Sequence, residues 1–260
     1  LDGVVDPMTG EIIGGRAAAA AALERQAAPE VAGMNIVLFL TDQQRAIQHF
    51  PPGWSKRNLP NYTRLQEHGL PFNRAFTNAC MCSPARSTLM TGYFTAQHGV
   101  KYTLEQDMPN DQYPQVPMPR DFKNLATVMS AAGYHVVYKG KWHLSKPNNG
   151  TSYTPEDAAQ YGFLRWDPPD AGANQDPSEC GGGDANNDGR YMTEVGPNAT
   201  GNEGALQYLQ TEAAQHQPFF MVISLVNPHD VLLYPRNFDS AGYDDFGTQP
   251  RGLLQRPARE

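Results

Sequence analysis

The sequence predicts an α/β fold in which a mostly parallel central sheet is flanked by helices. Three observations predict this class: apolar runs of strand length, helical apolar stripes between these runs, and polar residues directly after them. The chain has 260 residues, of which 40% are hydrophobic, enough for one large α/β domain or two small ones. In such a sheet, the loops at the carboxyl ends of the strands form the binding site.

The chain begins with a segment that we interpret as an N-terminal extension, residues 1–33, which is first Gly-rich and then Ala-rich. Within this extension, residues 16–26 favour a short helix. The domain itself is expected over residues 34–260. Its first strand is predicted at residues 34–40, because MNIVLFL is a continuous, partly β-branched apolar run that suits a strand buried on both faces.

Helices are predicted in three places between the strands. Residues 59–70 favour a short helix with Asn61 as its N-cap and Gly69 as its end. Residues 121–133 favour a better helix, because its apolar residues fall on one stripe and a glycine ends it. Residues 202–215 favour a third helix.

Two further strands are predicted at residues 134–143 and 218–226. The stretch between residues 145 and 201 is rich in Gly, Pro, Asn and Asp. A segment of that length without regular structure in a compact domain is usually functional or mobile.

Composition excludes several classes of protein. The net charge of −7 argues against a nucleic-acid partner, which usually requires a basic excess or stripe. Three cysteines cannot all pair with one another, so a disulfide scaffold is excluded. The longest apolar run, residues 218–226, is far shorter than the run of about 18 residues that would span a bilayer, and we predict no membrane partner. No secretory signal is visible, so the compartment stays open. The sequence does not indicate the oligomeric state.

Two of the cysteines, Cys80 and Cys82, lie one residue apart in NACMCSPARSTLMTG, residues 78–92. A metal chelate of both thiols is one interpretation, but few soft ligands lie nearby. A cysteine-phosphatase loop is a second, because Cys80 stands six residues before Arg86. That loop needs consecutive backbone N–H groups around a phosphate, and Pro84 removes one of them. Two buried thiols that pack as small hydrophobes are a third interpretation.

A helix is predicted directly after the second cysteine. Ser83 suits the N-cap and Pro84 the first helical position. Leu89 and Met90 would then point inward, and Gly92 would end the helix. The second cysteine would lie at the helix N-terminus, where anions bind. That field contributes only about 0.3–1 kcal/mol at an exposed site, so cations must also converge on an ester held there.

The same stretch resembles a known signature. CSPAR followed by STLMTG resembles the type I sulfatase motif C-x-P-x-R with its downstream T-G. Three further segments match that family in order. They are NIVLFLTDQQ (35–44), GYHVVYKGKWHL (133–144) and NPHD (227–230). The resemblance implies an alkaline-phosphatase-like fold. It also implies that residues 34–260 are the N-terminal part of a catalytic domain without its C-terminal part, because residues 231–260 do not supply the family's later metal ligands.

The resemblance further implies a mechanism for the hydrolysis of a small-molecule sulfate ester. Cys82 would be converted to formylglycine by a formylglycine-generating enzyme, and its hydrated aldehyde would attack the sulfur. Arg86 and Lys141 would hold the ester oxygens. His229, with Lys141, would assist the leaving oxygen. His143 would act as the base when sulfate is expelled by C–O cleavage.

The segment at residues 133–144 also suggests a binding site when the family resemblance is left aside. In an extended segment residues two apart share a face, so Lys141 and His143 would point together and Trp142 would pack on the other side. A Lys-x-His pair beside an anion-binding helix suits oxyanion contacts. We interpret Lys139 as a solvated charge. Two other histidines are interpreted as structural: His68 and His98.

A divalent metal site is predicted at Asp42 and Gln43, which follow the first strand, with the converted Cys82 as a further ligand. Their oxygens suit Ca²⁺ best, with Mg²⁺ or Mn²⁺ as alternatives. Gln43 stands where the commonest sulfatase pattern has a second aspartate, and in this it resembles the choline-sulfatase and phosphonate-monoester-hydrolase branches. A phosphonate monoester or phosphodiester hydrolase is therefore one alternative, and a truncated, non-catalytic metal- or anion-binding relative is another.

One further motif, DANNDG at residues 184–189, fits the start of an EF-hand calcium loop. Position twelve of that loop would be Val195 instead of Glu. We therefore predict a flexible loop there.

Overall fold

The computed structural model describes residues 3–5, 12–15, 33–46, 50–105, 114–170, 187–193, 203–211, 214–215 and 217–229. The chain divides into two compact units, Leu1–Asn35 and Ile36–Glu260. In the first unit, β1 (Gly3–Val5) pairs antiparallel with β2 (Ile12–Gly15). The short helix predicted at residues 16–26 lies outside the described residues.

The described residues of the second unit form three strands and a series of short helices. The strands are β3 (Ile36–Asp42), β4 (His135–Gly140) and β5 (Phe219–Pro228). The helices are α1 (Trp54–Asn58), α2 (Pro60–His68), α3 (Cys82–Thr91), α4 (Thr95–His98), α5 (Leu125–Ala131), α6 (Glu156–Ala159), α7 (Asn187–Thr193) and α8 (Ala205–Tyr208).

The three strands form a parallel sheet in the order β3–β5–β4. Phe220 in the central strand pairs with Ile36 on one side and Val136 on the other. The mostly parallel sheet that the alternating pattern predicts is confirmed. Because all three strands run in one direction, the residues that follow them meet at a single edge.

Helices pack on both faces of the sheet. Alternate residues of β4 face opposite ways, so Val136 and Tyr138 enter one core cluster and Val137 enters another. Helix α5 packs on the first face through Ala126. On the second face, α8 contributes Tyr208, and α7 packs on β4 and β5. The expectation of helices on the sheet is thereby confirmed.

The first core cluster is rich in aromatic rings. Trp142 lies at its centre, with ring centroids 5.6 Å from Phe163 and 6.1 Å from Trp166. Leu164 pairs with the outer side of β4, because its N–H donates to Val136 O at 3.1 Å. The prediction of an unstructured segment after residue 145 is therefore wrong up to residue 170, where aromatic side chains complete the core. Residues 171–186 and 194–202 lie outside the described residues.

Strand β3, which the sequence predicts as the first strand of the domain, is less buried than expected. Leu38 and Leu40 pack against the first core cluster, as a core strand should. On the other face, however, Val37 is 49% exposed and Phe39 is 52% exposed. The expectation of burial on both faces is wrong because the helices described on that face, α7 and α8, lie over β4 and β5.

The structure shows which residues begin and end helix α2 and which residue caps helix α5. Helix α2 starts with Pro60 after Leu59, so Asn61 is not its N-cap, while Gly69 does end it. Helix α5 is capped by Asn124, whose side chain accepts from the Thr127 N–H at 3.1 Å.

The apolar stripe of α5 is confirmed in part. Leu125 and Met129 pack against the core, whereas Val128 is 54% exposed. Of the long helix predicted at residues 202–215, the described residues are helical over Ala205–Tyr208 and at 214–215. Within the described part of the chain, no helix is both long enough and apolar enough to cross a membrane.

Candidate active site

Helix α3 brings the cysteine motif to the carboxyl edge of the sheet. The helix starts at Cys82 itself, and its N-cap is Met81, so Ser83 is not the cap that the sequence predicted. Ser83 is buried instead, and its hydroxyl accepts from the Leu104 N–H at 3.1 Å. The predicted end at Gly92 is confirmed: its φ of 74° lies in the left-handed region that glycine adopts without strain.

The two apolar residues of α3 behave differently from one another. Met90 is 1% exposed, as predicted, but Leu89 is 43% exposed, so the prediction that both point inward is wrong for Leu89. Of the two thiols, Cys80 is exposed and Cys82 is partly buried, and both are free. Exposure of Cys80 contradicts the interpretation of two buried thiols.

Four residues predicted for the site converge within hydrogen-bond distance. The Lys141 ammonium lies 2.6 Å from Asp42 Oδ2, and the Arg86 guanidinium lies 3.0 Å from the same oxygen. Cys82 Sγ is 3.7 Å from Lys141 Nζ and 3.8 Å from Asp42 Oδ2. One cluster thus receives Asp42 from β3, Cys82 and Arg86 from α3, and Lys141 from the segment after β4.

The central strand fixes the geometry of this cluster through Ser224. Its hydroxyl accepts from Arg86 Nη1 at 2.8 Å, and its carbonyl accepts from the Lys141 N–H at 2.8 Å. Gly140 allows this approach: its φ is 97°, and a Cβ there would lie 2.0 Å from the Ser224 carbonyl oxygen. The sequence interpretation missed Ser224, although a lone hydroxyl inside the apolar run 218–226 was a usable signal.

The charges in the cluster alter the acidity of its members. Burial alone would raise the pKa of Asp42, but Arg86 and Lys141 hold that pKa at about 2. Burial alone would also raise the pKa of the Cys82 thiol. A hydrogen bond with His229 and the charge of Lys141 outweigh burial and lower the thiol pKa overall. Among the described residues, two cations face one carboxylate in the cluster, which leaves a positive excess that suits an anion.

His143 lies beside the cluster, but strand alternation does not place it there. Strand β4 ends at Gly140, and the backbone then turns, with His143 at a φ of 54°. The expected extended segment through residue 143 is therefore wrong, although Lys141 and His143 are both buried and Trp142 packs in the core as predicted. Burial and the charges of Lys141 and Arg86 lower the pKa of His143 well below its usual value.

The last two predicted residues follow the ends of strands. His229 comes directly after β5, is partly buried, and reaches the Cys82 thiol through the hydrogen bond described above. Gln43 follows β3 and is exposed, with a φ of 59° in the left-handed region. Its role as a metal ligand stays a prediction.

The donor atoms fit a hard divalent cation in part. Asp42 and Gln43 supply the oxygen atoms that such an ion prefers. Asp42 Oδ2 already accepts from two cations, and among the described residues no group of three or more His, Cys, Asp or Glu side chains could hold a metal ion. A full coordination shell therefore needs ligands in addition to those described.

Two other polar residues have outcomes that the structure decides. Lys139 is 2% exposed and pairs with Asp167 and Glu203, so its interpretation as a solvated charge is wrong. His98 is buried and accepts from the Val100 N–H at 3.1 Å, in agreement with a structural role.

Part of the EF-hand-like motif, residues 184–186, lies outside the described residues. Its later residues begin helix α7, where the Asp188 carboxylate accepts from the Val226 N–H at 2.6 Å and the Asn227 N–H at 3.0 Å. Asp188 therefore anchors the end of β5, and the flexible loop predicted there is wrong for the described residues.

Known proteins are similar to this chain in fold and in sequence. The fold is that of alkaline-phosphatase-like sulfatases. The sulfatase yidJ from Bacteroides fragilis superposes with a TM-score of 0.52 at 19% identity, over 91% of this chain and 54% of that chain. A 4S-sulfatase of glycosaminoglycan metabolism from Bacteroides thetaiotaomicron superposes with a TM-score of 0.53 at 19% identity, over 84% of this chain and 49% of that chain. The family model named Sulfatase matches residues 34–256, and the chain therefore belongs to the sulfatase family.

Curated relatives carry the same family name. An ulvan-active sulfatase from Formosa agariphila is 29% identical over 86% of this chain and 40% of its own length. The N-acetylgalactosamine-6-sulfatase of Mus musculus is 28% identical over 87% of this chain and 44% of its own length. The chain thus spans about two fifths of the length of these relatives.

Proposed function

We propose that this chain supplies part of the active site of a sulfatase, which hydrolyses small-molecule sulfate esters after Cys82 has been converted to formylglycine. The observation that carries the proposal is the convergence of Lys141 and Arg86 on Asp42 beside Cys82, at the start of a helix. Sequence signatures alone cannot supply this argument, because they do not bring side chains from three elements into contact.

The charge of the cluster supports the handling of a sulfate ester. Arg86 and Lys141 are buried, and each is held by contacts to the protein, so neither must reorganise when negative charge accumulates on the ester oxygens. Preorganised cations in a site that excludes water stabilise such charge more strongly than solvated cations do. The formylglycine would supply the hydrated aldehyde that serves as the nucleophile.

The two histidines are assigned complementary proton-transfer roles. His229 is within hydrogen-bond reach of the residue 82 side chain, and we assign it, with Lys141, to the leaving oxygen. His143 is buried with its pKa well below the usual range, so it is neutral at physiological pH and can accept a proton. We assign His143 to the base that acts when sulfate is expelled.

The metal site is proposed at Asp42 and Gln43, with the converted Cys82 as the third ligand. Ca²⁺ is the ion that we expect, with Mg²⁺ or Mn²⁺ as alternatives. A divalent ion bound there would polarise the ester oxygens as a Lewis acid. Because Asp42 keeps a pKa of about 2, its carboxylate is ionised throughout the physiological range, as a metal ligand must be.

The test combines a mass measurement with turnover by the full protein, produced in a host that has the converting enzyme. We expect the peptide that contains Cys82 to show the mass of formylglycine, and we expect an aryl sulfate to be hydrolysed. Cys82→Ala should abolish turnover. An unmodified thiol together with no turnover would instead support the non-catalytic relative, and near-normal turnover by Cys82→Ala would exclude the nucleophile.

A second candidate function uses the same scaffold. Gln43 carries no charge where the commonest sulfatase pattern has an aspartate, and this supports a phosphonate monoester or phosphodiester hydrolase. The two candidates differ in the preferred ester, so kcat/KM for matched aryl sulfate and aryl phosphonate esters separates them. A higher value for the phosphonate would favour the second candidate.

Candidate natural substrates come from the names of the relatives. Those names refer to ulvan and to the 6-sulfate of N-acetylgalactosamine. We propose sulfated carbohydrates as the first natural esters to assay, with free sulfate as the product to be measured.

A further inference from the structure

The turn that carries Lys141 and His143 has a backbone conformation that its own residues do not favour. It begins at Gly140, which has a φ of 97°, and it includes His143 at a φ of 54°, a region that residues with a Cβ adopt rarely. Such a conformation persists only where the surrounding structure fixes it. The residues that fix this turn therefore control where its two proposed functional side chains point.

A buried carboxylate fixes this turn from a distant part of the chain. Asp170 is 0% exposed. Its Oδ1 accepts from the Trp142 N–H at 3.0 Å, and its Oδ2 accepts from the His143 N–H at 2.7 Å. One carboxylate thus spans two consecutive amides, and hydrogen bonds to an ionised acceptor are stronger than neutral ones.

The imidazole of His143 takes its orientation from this turn and from one carbonyl group. Its Nε2 lies 2.8 Å from the Leu104 carbonyl oxygen, so Nε2 carries the proton and donates. Its Nδ1 is buried and has no hydrogen-bond partner in the described part of the protein. Nδ1 is therefore the nitrogen left to accept a proton from a bound group.

We propose that Asp170 is a positioning residue of this site: by holding the two amides of the turn, it fixes the direction of Lys141 and the tautomer of His143. The inference rests on the proposed sulfatase function as far as catalysis is concerned. Asp170 itself contacts the backbone of the turn and acts through the two side chains.

The chain contains a matched control for this residue. Asp157 is also 0% exposed, and its carboxylate accepts from the Asn148 N–H at 2.8 Å and the Thr154 N–H at 2.7 Å. It therefore performs the same backbone task for a turn that carries none of the proposed site residues. Replacement by asparagine keeps the volume of either residue but turns one acceptor oxygen into a donor that faces an N–H group.

The first measurement compares Asp170→Asn and Asp157→Asn in the full protein with an aryl sulfate. We expect both variants to have lower melting temperatures than the wild type. Only Asp170→Asn should lower kcat, by about 10- to 100-fold, with KM little changed because the ester still meets Arg86. A kcat for Asp170→Asn equal to that of Asp157→Asn would overturn the proposal.

The second measurement does not depend on turnover. The ¹⁵N chemical shifts of the His143 ring, assigned by their loss in His143→Gln, report which nitrogen carries the proton. We expect the Nε2–H tautomer in the wild type and in Asp157→Asn, and a mixture of tautomers in Asp170→Asn. Unchanged shifts in Asp170→Asn would overturn the proposal. If even the wild type hydrolyses no ester, the proposed function fails, and these shifts alone decide whether Asp170 positions His143.

Discussion

Two lysines that lie two residues apart, Lys139 and Lys141, show how a structural ion pair differs from a candidate catalytic one. Both are almost completely buried, at 2% and 1% exposed. Lys139 Nζ lies 3.2 Å from Glu203 and 3.6 Å from Asp167. Lys141 Nζ lies 2.6 Å from Asp42 Oδ2, and Arg86 contacts the same oxygen. Burial alone therefore does not distinguish them.

The difference lies in the balance of charge around each lysine. Arg165 also pairs with Glu203, so the network around Lys139 sets two cations against two carboxylates among the described residues. Counted over the same part of the chain, the cluster around Lys141 sets two cations against one carboxylate. A balanced network has no demand for a further ion, whereas the unbalanced cluster has a positive excess beside Cys82. The excess identifies the cluster that suits an anionic ester.

The largest effect should separate the two lysines by turnover. Lys141→Met removes a cation that we assign to the ester oxygens, so we expect kcat/KM to fall about 10³-fold, which corresponds to about 4 kcal/mol of transition-state stabilisation. Lys139→Met removes a cation whose charged partners in the described part of the chain, Asp167 and Glu203, lie outside the candidate site, and we expect most of the turnover to remain. Steady-state kinetics with an aryl sulfate measures both, and equal losses in the two variants would remove the distinction.

The second effect reverses the comparison, because it concerns stability. Lys139→Met keeps the aliphatic stem but leaves Glu203 and Asp167 with one cation fewer, and we expect the free energy of unfolding to fall by about 3 kcal/mol. Urea denaturation measures this change. The double variant that also carries Glu203→Gln is the control, since removal of one stranded carboxylate should restore part of the loss. A single variant as stable as the wild type would contradict the assignment.

Much of the fold could be predicted from local patterns. The strands are continuous apolar runs, and Gly69, Gly92 and Gly133 end helices where the sequence places them. The apolar run of β3 did not reveal its exposed face, since the exposure of Phe39 depends on which helices lie over neighbouring strands.

The candidate site was predictable only where a motif carried it. Lys141 and His143 were found through their motif, although the alternation argument for them fails at Gly140. The burial of Lys139 depends on Glu203, 64 residues away. Asp170 acts on amides 27 and 28 residues away, and no spacing rule in the sequence predicts such contacts.

The third effect concerns acid stability. The pKa of Asp42 is about 2 in the folded chain and 3.8 in the unfolded reference, so its ion pairs stabilise the fold above about pH 4. That stability is lost as the pH falls from about 4 to 2. We expect the wild type to lose about 2 kcal/mol more than Asp42→Asn over this range, measured by urea denaturation with a chelator present.

The network around Lys139 provides the control for this pH dependence. The hydrogen bond with Arg165 also lowers the pKa of Glu203, but Glu203 is more exposed than Asp42 and its charges are better screened. Glu203→Gln should therefore change the loss of unfolding free energy between about pH 4 and 2 less than Asp42→Asn does. The reverse order would show that Asp42 is not the more strongly held carboxylate.

The smallest effect should come from the other cysteine. Cys80 is exposed, whereas Cys82 contacts Lys141 and Asp42. We expect Cys80→Ser to change the free energy of unfolding by no more than about 0.5 kcal/mol and to leave turnover intact. Kinetics and urea denaturation beside Cys82→Ala measure this contrast. If Cys80→Ser instead abolished turnover, the two thiols would act together, and a metal chelate or a phosphatase-like loop would explain the motif better than a single converted cysteine.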